Sequence, residues 1–334
     1  MTIERIALNL QAFADQTQTT LLDGLSAEMK TYYEDRLIDY AEPYLVHDQF
    51  GDKYPIPQHG GKTIEFRKYA PLGKALAPLT EGVTPAGNKL DVSTIEATVD
   101  QYGDYIEISD VLELTAIDRN LEQATKLLGG QAGRTLDTVT REVINGGTNV
   151  MYAPKADGTE ILSRSTIDAD CLLTVDLIIA GAAKLHEMNA MPIDDSFVCI
   201  VHPNVAADLM RSEQWQDVHK YADPEKIYRG EIGQIAGVRF VQTTEAKIVA
   251  GAGVGGISVY CTMLIGANAY GTTEVSGGGL RHIVKQLGSS GTADPLDQRA
   301  TTGWKATKTA ERLVEEYMLR IEHACRTNPK AKSN

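Results

Sequence analysis

The sequence predicts an α+β fold, and three observations carry the prediction. Two stretches, residues 62–69 and 92–110, alternate apolar and polar side chains on either side of a Pro/Gly-rich segment. Residues 118–147 follow a helical period through Leu121, Ala124, Leu128, Leu136, Val139 and Val143. From about residue 170 onward, short helices and strands are interleaved.

The elements follow in chain order. "LLDGLSAEMKTYYEDRLIDYAEPYL" has helical spacing through Leu25, Met29, Tyr32 and Leu37, and Pro43 ends it. Pro55, Pro57 and three glycines then mark a loop. These first residues have little apolar surface of their own to bury, so the expectation is an arm held by another body. In "KTIEFRKY", Ile64 and Phe66 share one face. In "VSTIEATVDQYGDYIEISD", Ile95, Ala97 and Val99 share one, but Ile106 and Ile108 continue on the opposite parity; a β-bulge at Gly103 is the expected cause. The two stretches predict a hairpin tipped by "APLGKALAPLTEGVTPAGNKLD", with no core of its own. A lone ribbon is marginal in water, and its open edges invite another chain.

Gly146 and Gly147 stop the 118–147 helix, while Gly129, Gly130 and Gly133 within it mark a bend or a close crossing. Beyond residue 170, Thr174 is placed to cap a helix, "SFVCIV" reads as a buried strand, and Pro203 opens a further helix. Strands follow at "GVRFVQTT", "ISVYCTMLIG", "LRHIVKQLG" and "GWKATKT". The alternation of Tyr317, Leu319, Ile321 and His323 makes "EEYMLRIEHA" a strand.

Composition narrows the function. The chain has 334 residues, 43% of them hydrophobic and 23% charged, a globular balance. No apolar run approaches the roughly 20 residues that span a bilayer, so no membrane partner is expected. The N-terminus carries acids within its apolar stretch and does not read as a signal peptide. Cys171, Cys199, Cys261 and Cys325 lie far apart with no CxxC pair, the pattern of buried free thiols. A net charge of −13 with no Lys/Arg cluster argues against a protein that grips phosphates.

Catalytic patterns are equally thin. "GAGVGG" (251–256) matches a dinucleotide-binding spacing, but the strand-like "ISVYCTMLIG" follows it where a helix is needed; a hairpin turn is the expected structure and no cofactor is expected. His186 lacks a second histidine four residues on, His202 reads as a cap or loop residue, and His47, His59, His219 and His282 show no ligand spacing. Asp194 and Asp195 have no acid–base partner. No catalytic, cofactor or metal residues are assigned.

Four segments, in order, carry a resemblance: "KTIEFRKYAPLGKALAPLTEGVTPAGNKL", "QYGDYIEISDVLEL" running into "AGRTLDTVTREVINGG", "VHPNVAADLM", and "LGSSGTADPLDQRATTGWKA" followed by "MLRIEHA". Together they resemble the major capsid proteins of tailed bacteriophages, in the branch that includes the N-four-like phages. The resemblance spans residues 20–325, and "GTADPLDQRATTGWKA" is its most specific part. It implies the Hong Kong ninety-seven fold, with an N-arm at 1–60 and an extended E-loop at 61–108. A P-domain would take 109–169 and 286–334, including a spine helix at about 116–147, and an A-domain 170–285. It implies pentamers and hexamers of an icosahedral shell around double-stranded DNA, held without sequence-specific binding. Portal, scaffolding and decoration proteins are the implied partners, and the virion, assembled in the bacterial cytoplasm, the implied location.

On that reading the ribbon tip meets a neighbour through Pro71, Leu72, Leu76, Pro78, Leu79, Val83 and Pro85. Leu25, Met29 and Tyr32 do the same for the arm. Some members of the fold cross-link through Lys and Asn. Lys74, Lys89 and Asn88 supply the residue types near the tip, but without an acidic catalyst pattern, so solvated loop residues are expected. The alternative reading is a small-molecule-binding α/β enzyme using residues 170–285; particle size separates the two.

Overall fold

A computed structural model of the chain describes residues 37–55, 62–69, 72, 74–79, 81–82, 84, 87–115, 120–215, 231–274, 279–286 and 294–334. At its centre one unbroken helix runs from Asn120 to Asn145. Its three internal glycines do not interrupt it. They let another segment cross closely: a Cβ on Gly129 would stand 2.7 Å from Tyr40 Cβ, and one on Gly133 would stand 2.4 Å from the Ala41 carbonyl oxygen. That segment is residues 37–50, a strap laid along the helix. Leu37, Ala41 and Leu45 are buried against Leu128, Ala132 and Leu136, with Leu280, Trp304 and Ala306 closing the other side. The expectation that this part of the arm needs another body is therefore corrected. Leu37, Ala41 and residues 45–48 are buried by their own chain, because the glycines remove the side chains that would hold the strap away.

The described residues form four sheets. β1 (Asp52–Tyr54) pairs in parallel with β11 (Tyr270–Thr273), which pairs antiparallel with β14 (Ala310–Arg312). β2 (Thr63–Tyr69) and β3 (Val92–Thr98) form an isolated antiparallel ribbon with Thr63 opposite Thr98 and Tyr69 opposite Val92. β4 (Asp100–Ser109) pairs with β13 (Arg299–Lys308), which also pairs with β12 (Leu280–Lys285). β4, β13 and β14 pack against the helix. The largest sheet contains β5 (Val150–Tyr152), β15 (Met318–His323), β10 (Val259–Ile265), β6 (Phe197–Val201), β8 (Val238–Gln242) and β7 (Glu231–Ile235) in that spatial order, with β9 (Ile248–Val249) paired to β10.

The parity change after Val99 has a different cause from the bulge expected at Gly103. β4 runs opposite β13 in constant register from Asp100↔Lys308 to Ser109↔Arg299. The phase shifts four residues earlier, at Val99, where the chain leaves the ribbon sheet and enters another. Gly103 serves close approach instead: a Cβ there would lie 2.7 Å from the Trp304 carbonyl oxygen.

The helix over Val175–Glu187 is capped by Thr174, whose side chain accepts from the Leu177 amide. Pro203 opens the helix Pro203–Met210, and His202 caps it by accepting from Asn204 N at 3.1 Å. β6 is buried at every residue, as a central strand with both faces covered must be. β15 enters the same sheet between β10 and β5, so this late strand completes the core built by residues 170–265. Among the described residues no helix is long and apolar enough to cross a membrane.

Candidate assembly interface

The ribbon has a root and a tip, and they differ. At the root, alternation puts Ile64, Phe66 and Ala97 on one face, where they are buried with Leu313 and flanked by Tyr54, Ile95, Val99 and Val314. Phe66 meets the Tyr54 ring edge-on at 4.8 Å. Gly271 leaves room for it; a Cβ there would stand 2.8 Å from the Phe66 ring. The expectation that the ribbon has no core beneath it is thus corrected for β2 and β3, which rest on a small core of their own chain. Val99 N closes the pair by donating to the Lys62 carbonyl at 2.8 Å.

Beyond Tyr69 that support ends. Leu72, Leu76, Leu79 and Leu90 are 60%, 83%, 78% and 73% exposed. One exposed leucine is ordinary; four within nineteen residues on one extension form an apolar exposure that the described residues of the chain do not cover. Pro78 is exposed beside them, and Gly82 takes φ 78°, a conformation that side chains rarely adopt. Lys74, Asn88 and Lys89 are exposed at the same tip. Of the predicted contact residues, Leu72, Leu76, Pro78 and Leu79 are therefore placed together on the open tip. Pro71, Val83 and Pro85, and with them Leu25, Met29 and Tyr32, lie outside the described residues.

Sequence reasoning missed a second apolar exposure. Tyr105, Val111, Leu112 and Leu127 are 63%, 63%, 49% and 68% exposed. Tyr105 and Ile283 flank Gly303 in one row across β4, β13 and β12. Because Gly303 has no side chain, the row sinks into an open groove of about 500 Å³, rimmed by Lys285 and Lys305. The signal was present in the sequence: Tyr105 falls on the otherwise polar parity of its strand. Asp104, at the rim, is held below the usual carboxylate range by hydrogen bonds from the Gln131 amide and Tyr105 N.

The residues weighed for other chemistry have structural surroundings. The loop 251–256 joins β9 to β10 as a hairpin, with positive φ at Gly251, Gly255 and Gly256; it holds only a three-residue 3-10 turn, Val254–Gly256, and leads into a strand rather than an α-helix. His186 packs edge-on against Phe197 at 4.8 Å. His282 lies 2.8 Å from the Thr302 hydroxyl, and burial pushes its pKa down to about 4. His323 is fully buried, its Nε2 2.9 Å from the Thr262 hydroxyl and its Nδ1 2.8 Å from the Ala324 carbonyl. The four cysteines are buried free thiols, and burial raises the pKa of each. Among the described residues no group of three or more His, Cys, Asp or Glu side chains could hold a metal ion.

The most specific resemblance segment has a local role. Asp294 is buried and its carboxylate accepts from Arg299 N at 2.7 Å, while Asp297 turns the chain at φ 53°. This turn delivers β13 into the sheet beside β4.

Comparison with known proteins gives the geometry a context. A family model described as phage capsid protein matches residues 92–310. No curated protein matches. The fold is shared with the capsid structure of the cyanophage P-SCSP1u, at 14% identity and TM-score 0.62 over 84% of this chain and 88% of that one. It is shared with the capsid of Ralstonia phage GP4, at 12% identity and TM-score 0.63 over 82% and 86%. In the cyanophage Pam1 capsid asymmetric unit the match covers 96% of this chain and 99% of that one, at 16% identity and TM-score 0.61.

Proposed function

This chain belongs to the phage capsid protein family, and from that premise we propose that copies of it assemble through the ribbon tip into the pentamers and hexamers of an icosahedral shell. The observation that carries the proposal is the exposed Leu72, Leu76, Leu79 and Leu90 on an extension whose root, but not whose tip, has a core of its own chain. Burying four leucines at about 25 cal/mol per Å² of apolar surface contributes several kcal/mol per subunit contact. Multiplied over a closed shell, that is enough to drive association.

On this reading the ribbon and its tip are the E-loop, at 61–108, preceded by the N-arm at 1–60. Residues 109–169 and 286–334 are the P-domain around the spine helix, and 170–285 the A-domain. β15 ties the last two together by pairing with β10. The shell encloses double-stranded DNA without reading its sequence. A net charge of −13 supports this role, because a container that bound phosphates strongly would hinder filling and release. Portal, scaffolding and decoration proteins are the expected partners, and the host cytoplasm the place of assembly.

Negative-stain electron microscopy and sedimentation of the purified chain test the proposal. Closed shells or megadalton capsomer assemblies are expected. A small oligomer at high concentration would overturn it.

A further inference from the structure

The strap 37–50 carries a buried polar cluster just beyond its apolar contacts. His47 N donates to Asp137 Oδ1 at 2.7 Å, and His47 Nδ1 lies 2.7 Å from Asp137 Oδ2. Asp48 Oδ1 accepts from the Thr272 hydroxyl at 2.6 Å and from Lys308 Nζ. Lys308 Nζ also bonds Thr272 Oγ1, and it donates to the Thr273 carbonyl at 3.2 Å. Tyr270 OH donates to the His47 carbonyl. The Asp48, Asp137 and Lys308 side chains are 4%, 0% and 0% exposed. Four elements meet here: the strap, the long helix, β11 and β13.

The apolar contacts alone leave the strap's position ambiguous. Leu37, Ala41 and Leu45 are spaced by four, as are Leu128, Ala132 and Leu136 beneath them. The clearing glycines, Gly129 and Gly133, share that spacing. A shift of one helical turn, about 5.4 Å, would therefore lay the α-helical part of the strap, residues 37–41, on apolar residues and on a glycine again. The same shift would withdraw the Asp48 carboxylate from Lys308 and leave a buried cation without its counter-charge.

We infer that the buried Asp48–Lys308 and His47–Asp137 pairs act as a register lock, admitting one docking position of the strap and rejecting the one-turn slip that its apolar face permits. The position matters because the strap runs directly into β1, whose Tyr54 supports Phe66 at the ribbon root. Burial works against the charge on Lys308, with Asp48 opposing that effect, as expected of a pair that specifies position more than it stabilises. The inference does not depend on the shell reading; it concerns the folded subunit.

The test is hydrogen exchange on the full chain, with the denaturation midpoint measured in parallel. Lys308→Met alone, which strands Asp48, is expected to speed exchange across residues 37–54 about tenfold or more, with β10 and β15 unchanged. Asp48→Leu with Lys308→Met replaces the pair by apolar groups. It is expected to return the midpoint to within about 3 °C of the parent while giving two-population exchange envelopes over 37–50. A single slow envelope in the double variant would overturn the inference, as would unchanged exchange in the single variant. Failure of the double variant to fold would also overturn it, since the pair would then be carrying core stability.

Discussion

Gly133 lies directly beneath the backbone of Ala41: a Cβ on the glycine would stand 2.4 Å from the Ala41 carbonyl oxygen and 3.0 Å from Tyr44 Cβ. A helix this long tolerates a glycine at about 1 kcal/mol relative to alanine, so an isolated helix would gain from Gly133→Ala. In the folded chain the strap would have to lift instead.

Gly133→Ala is therefore expected to destabilise the subunit, against helix propensity, by about 1–3 kcal/mol, the usual range for overpacking. Urea denaturation of the unassembled subunit measures it. A more stable variant would show that the strap does not lie on the helix in solution.

His323 makes stability depend on pH. Its Nδ1–H faces the Ala324 carbonyl, so Nε2 accepts from the Thr262 hydroxyl and the buried ring is neutral. Burial pushes its pKa down from 6.5 to about 4. As pH falls, the unfolded chain takes up the proton first. The neutral ring's contribution is complete above pH 6.5 and is lost progressively toward pH 4. At 1.36 kcal/mol per unit, about 2 kcal/mol is gone by pH 5. Denaturation midpoints between pH 7 and 5 should fall accordingly, and His323→Gln should flatten the slope.

Much of this fold was legible because local chemistry and tertiary structure agree. Thr174 caps its helix, Pro203 opens one, and the alternation through Leu319 and Ile321 makes a strand. The ribbon was legible through its alternation and its Pro/Gly tip. What failed needed knowledge of distant partners. The strap could not be seen as self-covered, because its cover comes from Leu128 to Leu136 and Trp304, far along the chain. The root core was hidden for the same reason: Leu313 and Val314 lie some 250 residues from Phe66. The parity change at Val99 looked like a bulge because one sequence stretch serves two sheets. Of the candidate interface, the tip leucines were readable as apolar residues without a periodic face, whereas the groove over Gly303 depends on three strands meeting.

Phe66 tests the division between root and tip. It is fully buried, and both Tyr54 and the bare backbone of Gly271 are fitted to its ring. Phe66→Ala should cost about 3–5 kcal/mol of local stability. Hydrogen exchange is expected to accelerate in 63–69 and 92–98 while β10 and β15 keep their protection. Uniform acceleration over the whole chain would mean that the ribbon root is part of the main core rather than a separate small one.

The tip itself is tested by substitutions that leave the root intact. Leu76 and Leu79 are 83% and 78% exposed, so replacing both with Asp removes no described intrachain side-chain contact and should change the subunit's unfolding free energy by no more than about 0.5 kcal/mol. In an assembled shell the same carboxylates would have to be buried without partners, at several kcal/mol each. The expected outcome is a folded, soluble chain whose assembly, followed by light scattering and electron microscopy, is lost or needs far higher protein concentration. Deleting Leu72–Asn88 should act in the same direction and more completely, because it removes the leucines together with the reach of the ribbon. Normal shells from both variants would show that the tip is a solvated loop and that the contacts closing the shell lie elsewhere, with the exposed row at Tyr105 and Ile283 the next surface to substitute.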